Sequence, residues 1–558
     1  MVRRVIEMLY REVRGLHQAA YVLGAFAFGS QLLALVRDRL LAHQFGAGIE
    51  LDLYYAAFRI PDLLYVLFAS TLSVYVLIPF VVSRIRNDDA SQARLLLSQI
   101  FSAFLLIYSL LAVAIFFLIP YILPVLFPGL SAHSDILILL IRILLLQPFL
   151  LGLSSLFGVV TQIGHRFVLY AISPLIYNVG IIFGIAALYP MWGLPGLAYG
   201  VVLGAFGHMI VQLPLVRGSS LAFGLIRNIS WSLLGEVLKV SVPRAATLAL
   251  HQVVILVMVG IASVMTVGSV AVFQFAYNLQ SVPLAVIGAS YSIAAFPLLA
   301  DLFAQKKMKE FRFHIVTALK HIIFWSVPII GLIVVLRAQI VRVVLGSGAF
   351  DWSDTRLTAA VLALLVISLF AQGINLLIVR VFYAGGYTRI PFFVTLFGSL
   401  FSIVLTLTLY KLYQGSGNFS YLLESTMRVA HVPGSEIMVI ALGYSLAMII
   451  QTSILFYFLI KKFEITFEHF WGHFARAFIA SFVGASGAYA TLNLFVGGIN
   501  EQTFLGIFIQ GLLGGVVGLF GIVITYYAMK SPELTEVYKS FHAKIFKTDV
   551  IAPQEDVL

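Results

Sequence analysis

From Phe101 to Leu118 the chain reads FSAFLLIYSLLAVAIFFL, eighteen residues without a charge. A helix of about 20 apolar residues spans the hydrocarbon core of a bilayer. Comparable runs recur along the 558 residues, and no gap between them is long enough for a large soluble domain. The apolar share is 61% and the charged share 11%, with mean hydropathy +1.02. Soluble domains run about 45–50% apolar and about 25% charged. That excludes a soluble globular fold, a disordered chain and a coiled coil. The runs are continuously apolar, which excludes a transmembrane barrel, whose strands alternate. Cysteine is absent, so disulfides, cysteine-held zinc, iron–sulfur clusters and thiol nucleophiles are excluded as well.

Breaks at turn residues and charges divide the apolar runs into fourteen expected helices, from about residue 20 to about residue 529. Net charge is +11, and its placement explains it better than a nucleic-acid partner would. With the N-terminus placed in the cytoplasm, 25 Lys and Arg fall on inside segments and 5 on outside ones. This is the positive-inside bias. It predicts both termini in the cytoplasm. Residues 1–19 carry Arg3, Arg4, Arg11 and Arg14 among apolar residues at helical spacing. Two readings are open there, a basic amphipathic helix on the inner leaflet or an ordinary positive flank. The stretch 413–436 is the longest between spans and reads as an insertion or a cap on the outer face. The polar tail 531–558 is expected to be loosely ordered.

A shift of 222 residues superposes Pro61 on Pro283 and Gly164 on Gly386. This suggests two six-helix lobes, 20–217 and 218–462, with two additional helices over 463–530. An even number of helices per period makes the lobes parallel, related by an axis along the membrane normal. Transporters built this way hold substrate between lobes that rock against each other.

Ionisable residues within spans cost about 2.5–3.5 kcal/mol each at a helix centre and usually face an interior or a watery cavity. Arg37, Asp38 and Arg39 lie in the first span, Arg37 roughly 12 Å along the axis before the Phe45-Gly46-Ala47-Gly48 turn. Arg37 and Arg39 point about 200° apart, so both cannot face one cavity; Arg37 with Asp38 is the preferred pair. Asp52 and Arg59 are seven apart at the start of the second span, and Asp62 follows Pro61. A guanidinium grips phosphate through a forked pair of hydrogen bonds. A cationic cavity here suits a substrate bearing a pyrophosphate whose lipid tail stays in the bilayer. Arg142 and Arg380 read rather as structural ion pairs. The second half carries no Asp or Glu within its spans over 240–300 and 357–460; its polar residues there include Gln274 and Asn278. A lone Gln or Asn on an apolar helix is mostly an interhelical contact.

The segment SQLLALVRDRLLAHQFGAGIELDLYYAAFRIPDLL (30–64), together with ISPLIYNVGIIFG (172–184) and VRVFYAGGYTRIP (379–391), resembles the MurJ/MviN family of lipid II flippases within the MOP exporter superfamily. The resemblance runs in order from residue 20 to about 529. It implies flipping of the undecaprenyl-pyrophosphate-linked peptidoglycan precursor across the bacterial inner membrane. It carries functional roles onto Arg37, Asp38, Asp52 and, as a basic residue, Arg59. The chain departs from the family pattern at Gln31 and Tyr65, where basic residues are expected. It departs again at Tyr277 and Asn278, where an acidic–arginine pair is expected. Asn278 joins the substrate-binding candidates as the neutral occupant of that position. The carboxylates of the family's sodium site have no match in the seventh and eleventh spans.

The sequence therefore predicts an all-α polytopic membrane protein with no catalytic residues, metal or cofactor. Its expected partners are lipid II and membrane lipids. A flippase makes no bond, so no enzyme activity is expected, and no nucleotide-binding P-loop appears. Two alternatives stand beside it: an exporter of another polyprenyl-linked glycan or amphiphile, and a non-transporting scaffold.

Overall fold

A computed structural model describes residues 16–72, 74–86, 90–466, 470–494 and 503–545. The 1–15 part of the expected amphipathic segment and the end of the tail lie outside these residues. The described residues are mostly helical, with no strand. Eleven of the helices are long and apolar enough to cross a membrane. A twelfth span is a pair, Trp352–Val366 and Leu369–Ala384, bent by 45°. The first two expected spans correspond to Leu16–Phe45, interrupted by its charges, and to a run broken into Ile49–Ala57, Arg59–Thr71 and Val74–Arg86. The expected count of fourteen is compatible with this arrangement.

Large apolar side chains face outward while polar ones are buried. Phe117 and Phe520 are each 66% exposed, whereas Asp38, Asp52 and Arg59 are below 8%. In water that distribution would be costly; against acyl chains it is the stable one.

Compactness divides the chain into two discontinuous units. The first holds 1–276, 344–361 and 388–447, the second 277–343, 362–387 and 448–558. In the first, Phe68, Phe104, Tyr108 and Phe149 form an aromatic cluster at centroid distances of 5.3–6.1 Å. Helices Phe167–Phe183 and Leu194–Ile210 approach through glycine. A Cβ on Gly200 would come within 2.4 Å of the Gly184 Cα, and one on Gly180 within 2.3 Å of the Gly204 Cα. Small residues four apart let backbones touch, which is how helices associate where the solvent itself is apolar. The linker after residue 217 is extended and stitched to helix Ala90–Leu126. Ile226 N–H donates to Ser102 Oγ (2.9 Å) and Ser230 N–H to Gln99 Oε1 (2.7 Å). Side-chain acceptors thus satisfy backbone donors that no helix ladder reaches.

The stretch 413–436 is ordered into helix Gly417–Met427 and a short turn. Glu424 accepts from Tyr413 and Ser435, and Glu436 accepts from the Thr266 N–H (2.9 Å).

In the second unit, helices Phe470–Leu494 and Phe504–Ala528 pack together, and the Tyr526 hydroxyl donates to the Phe324 carbonyl (2.8 Å). The tail departs from expectation. Residues Pro532–Ile545 form a helix rather than a loose extension. Glu533 pairs with His473 and accepts from the Ser531 hydroxyl, and Glu536 lies 2.9 Å from His321 Nε2. The tail is polar in composition, yet these carboxylates find half-buried histidines that no sequence window shows.

Candidate functional site

The first helix brings Arg37 and Asp38 side by side. Both Nε and Nη2 of Arg37 donate to one oxygen of Asp38, at 2.9 and 2.8 Å. Nη1 donates to Asn178 Oδ1 at 3.3 Å. The amide nitrogen of Asn178 in turn donates to the Ser30 hydroxyl (3.1 Å) and to the Pro174 carbonyl (3.1 Å). The guanidinium is therefore held on two sides, by Asp38 and by an Asn178 that is itself held. Of its five N–H groups, these bonds use three. The Arg37 side chain keeps 21% exposure against 5% for Asp38. A buried carboxylate aims a partly accessible cation.

Arg59 is 7% exposed. Its Nε donates to the Tyr55 carbonyl (3.0 Å), one helical turn back, and its Nη2 to Gln274 Oε1 (3.0 Å). Tyr55 lies within electrostatic reach of Arg37, Asp38 and Arg59 together, so the two arginines belong to one buried polar neighbourhood. Arg59 differs from Arg37 in presenting its charge to protein groups in this conformation.

Asp52 meets backbone donors. One oxygen accepts the Gly268 N–H (2.7 Å), the other the Ala271 N–H (2.8 Å). These are donors at the N-terminus of helix Ser269–Pro283, where ladder partners are missing and the helix dipole favours an anion. Asp52 fastens the start of one helix to the start of another. Gly268 sits at φ +92°, and a Cβ there would come within 2.0 Å of the Ala47 carbonyl oxygen, so the junction needs glycine.

Asn278 belongs to the second compact unit, half-buried on helix Ser269–Pro283, its carbonyl accepting from the Ser281 hydroxyl (2.6 Å). The structure joins Arg37 with Asp38 and places Arg59 nearby. Arg39 turns elsewhere and donates to the Val344 carbonyl (3.3 Å). Arg142 donates to the Phe116 carbonyl (3.1 Å) and stacks on the Phe116 ring at 4.3 Å. Among the described residues that is a packing contact and not the ion pair expected.

A profile described as lipid II flippase MurJ matches residues 41–509. The chain belongs to the lipid II flippase MurJ family. A probable lipid II flippase MurJ of Thermotoga maritima is 28% identical over 401 residues, covering 70% of this chain and 78% of the relative. A lipid II flippase MurJ of Burkholderia cenocepacia is 23% identical over 385 residues, covering 67% and 73%. Among solved structures, a lipid II flippase MurJ in an inward closed conformation matches with TM-score 0.72 and 22% identity. The match covers 91% of this chain and 99% of that one. An inward-facing MATE family multidrug transporter of the MOP superfamily matches with TM-score 0.61 and 14% identity over 78% and 94%. These structural likenesses show the fold, a multi-pass helical membrane protein of the MurJ type.

Sequence reasoning missed Asn178, Gln147, Tyr54 and Tyr177. Asn178 had a signal, since it is the one amide in the apolar run ISPLIYNVGIIFG. Its partner lies 141 residues earlier, and no local pattern reports such a distance.

Proposed function

We propose that this chain flips lipid II across the bacterial inner membrane by alternating access, with lobes 20–217 and 218–462 rocking about the substrate. Arg37 carries the reading. It is a guanidinium inside an apolar helix of a MurJ-family chain, braced by Asp38 and Asn178, with two N–H groups uncommitted and an exposed edge. Two parallel donors match two oxygens of a diphosphate. The hydrocarbon tail needs no protein site, because the surrounding bilayer solvates it. Asp38 orients Arg37, and Asp52 holds the junction with the next repeat. Arg59 contributes a second positive charge once substrate replaces Gln274 as its acceptor. Asn178 acts through Arg37, and Asn278 offers a neutral amide to the glycan. The excess of Lys and Arg on alternate loops puts both termini in the cytoplasm. The work is transport, with no bond made or broken. No observation favours another lipid-linked glycan or a scaffold over this reading.

Depletion of the protein in its host is expected to trap lipid II on the inner leaflet, out of reach of probes added outside. Re-expressed wild type restores exposure. Arg37→Ala, present in the membrane at wild-type level, does not. Full restoration by Arg37→Ala refutes the assignment.

A further inference from the structure

The flipping reading leaves one ionisable group of the first unit unused. Asp62 lies in the first turn of helix Arg59–Thr71, and Tyr65 shares its face one turn on. Helix Leu146–Ile163 packs against that helix and against Phe167–Phe183, which in turn packs against the first helix, Leu16–Phe45. Gln147 hydrogen-bonds Asp62 and donates from Nε2 to the Tyr177 hydroxyl at 3.1 Å. Tyr177 lies within electrostatic reach of Asp62, Tyr65 and Arg37 together. Arg37, Asp62, Tyr65 and Tyr177 sit deep in the unit, yet each keeps accessible surface. Groups ringed by protein that can still be touched line a hollow among these four helices.

The two ends of the hollow differ in what they accept. Arg37 offers N–H donors to phosphate oxygens. Asp62, when ionised, offers acceptors alone. A phosphate oxygen brought against that carboxylate would meet like charge in a medium that screens it poorly. The Asp62 end therefore takes a neutral group that donates hydrogen bonds. Its other side chains fit such a group. Tyr65, Gln147 and Tyr177 are uncharged, and the Tyr177 hydroxyl, which accepts from Gln147, keeps its own proton to donate.

We propose that this end of the hollow is a subsite for the sugar joined to the diphosphate, with Asp62 as the group that recognises it. A sugar ring carrying hydroxyl and acetamido groups is neutral and rich in O–H and N–H donors. Two of these reach the Asp62 carboxylate in charge-assisted hydrogen bonds. The Tyr177 hydroxyl donates to a sugar oxygen, and the Tyr65 ring adds apolar surface. A site built to hydrogen-bond its substrate rejects an analogue lacking the group, because its own polar atoms are then left unpaired. Asp62 thereby fixes the order of the headgroup, diphosphate at Arg37 and sugar beside it. It also selects against a bare polyprenyl diphosphate, which shares the tail and the charge but has no sugar. This subsite rests on the flipping reading, in which Arg37 anchors the diphosphate.

The test measures equilibrium binding of two probes, lipid II and undecaprenyl diphosphate, to the purified full-length protein in detergent. The wild type is expected to hold lipid II about tenfold tighter or more, the size of one hydrogen bond to a charged group. In Asp62→Leu lipid II affinity falls to that of undecaprenyl diphosphate, while undecaprenyl diphosphate binds as well as before or better, since a repelling charge is gone. A merely structural role would weaken both probes together, and that result overturns the subsite. So does equal affinity of the wild type for the two probes, or an undiminished preference for lipid II in folded Asp62→Leu protein. Should Asp62→Leu fail to fold, Tyr177→Phe, which removes a single oxygen, decides. Its preference for lipid II is expected to fall about threefold or more, and an unchanged preference overturns the subsite. Arg37→Ala weakens both probes and keeps their ratio. Wild-type affinity for both probes in Arg37→Ala would sink the diphosphate anchor and leave the sugar preference standing, whereas loss of both affinities with no sugar preference in the wild type sinks the subsite alone.

Discussion

Asp38 and Asp52 have the same functional group and opposite duties. Asp38 meets a guanidinium, Asp52 two backbone N–H groups. Sequence placed both among substrate contacts, because a carboxylate inside an apolar span is costly wherever it points. What it points at is tertiary information. Removing the Asp52 carboxylate strands two buried donors, each worth about 1–3 kcal/mol. Asp52→Ala is therefore expected to lower the melting temperature in detergent by several degrees, with Asp52→Asn, which keeps one acceptor, falling less. A melting temperature unchanged in Asp52→Ala would contradict the fastening role. Asn178→Ala should act differently. It frees Arg37 to take other rotamers, so lipid II affinity drops about tenfold while the melting temperature moves little. Binding of lipid II to the purified variant measures this.

Among the elements, two junctions depend on features smaller than a helix. The Gly180, Gly184, Gly200 and Gly204 face has no room for a side chain. Gly200→Leu is expected to force the Phe167–Phe183 and Leu194–Ile210 helices apart and to yield aggregated protein on size-exclusion chromatography. Helix Pro532–Ile545 is held chiefly by Glu533. Burial pushes that carboxyl up, but the Ser531 hydroxyl, a backbone N–H and His473 outweigh it and leave it below its ordinary value near 4.5. A depressed folded value stabilises the docked helix above the unfolded value, and the gain is lost as pH falls through the folded one. Amide protection over 532–545, taken relative to the intrinsic exchange rate at each pH, is expected to hold down to the ordinary glutamate value and to fall away as pH drops below it. In Glu533→Gln protection should be low throughout. Full protection at every pH in that variant would mean the helix docks by other contacts.

At the scale of the whole molecule, the apolar exterior and the buried charges make one statement, that this chain folds against acyl chains and keeps its polar chemistry inside. Transport itself is the whole-molecule prediction, and the depletion experiment with Arg37→Ala checks it. Much of this architecture was legible beforehand. Helix positions, class and the Arg37–Asp38 pair follow from apolar runs and from the cost of charge in a bilayer, both local properties. The breaks in the second span were only partly legible. Pro61, whose ring crowds the carbonyl four residues back, signals the division at Phe58, but the 45° bend between Val366 and Leu369 had no such signal. The tail was misread because a stretch rich in Glu and Lys looks solvated until His473 and His321 are found beside it.

The amino-acid order alone determined that the chain crosses a membrane many times, which residues are too costly to face lipid, and that the first lobe carries a buried positive charge. Those follow from transfer energies that each residue carries with it. Only the tertiary structure decided that Asn178 braces Arg37, that Asp52 caps a helix 216 residues away, and that Gln147 joins Asp62 to Tyr177. A hydrogen bond depends on the meeting of two groups, and for groups so far apart in the chain only the packed fold makes them meet.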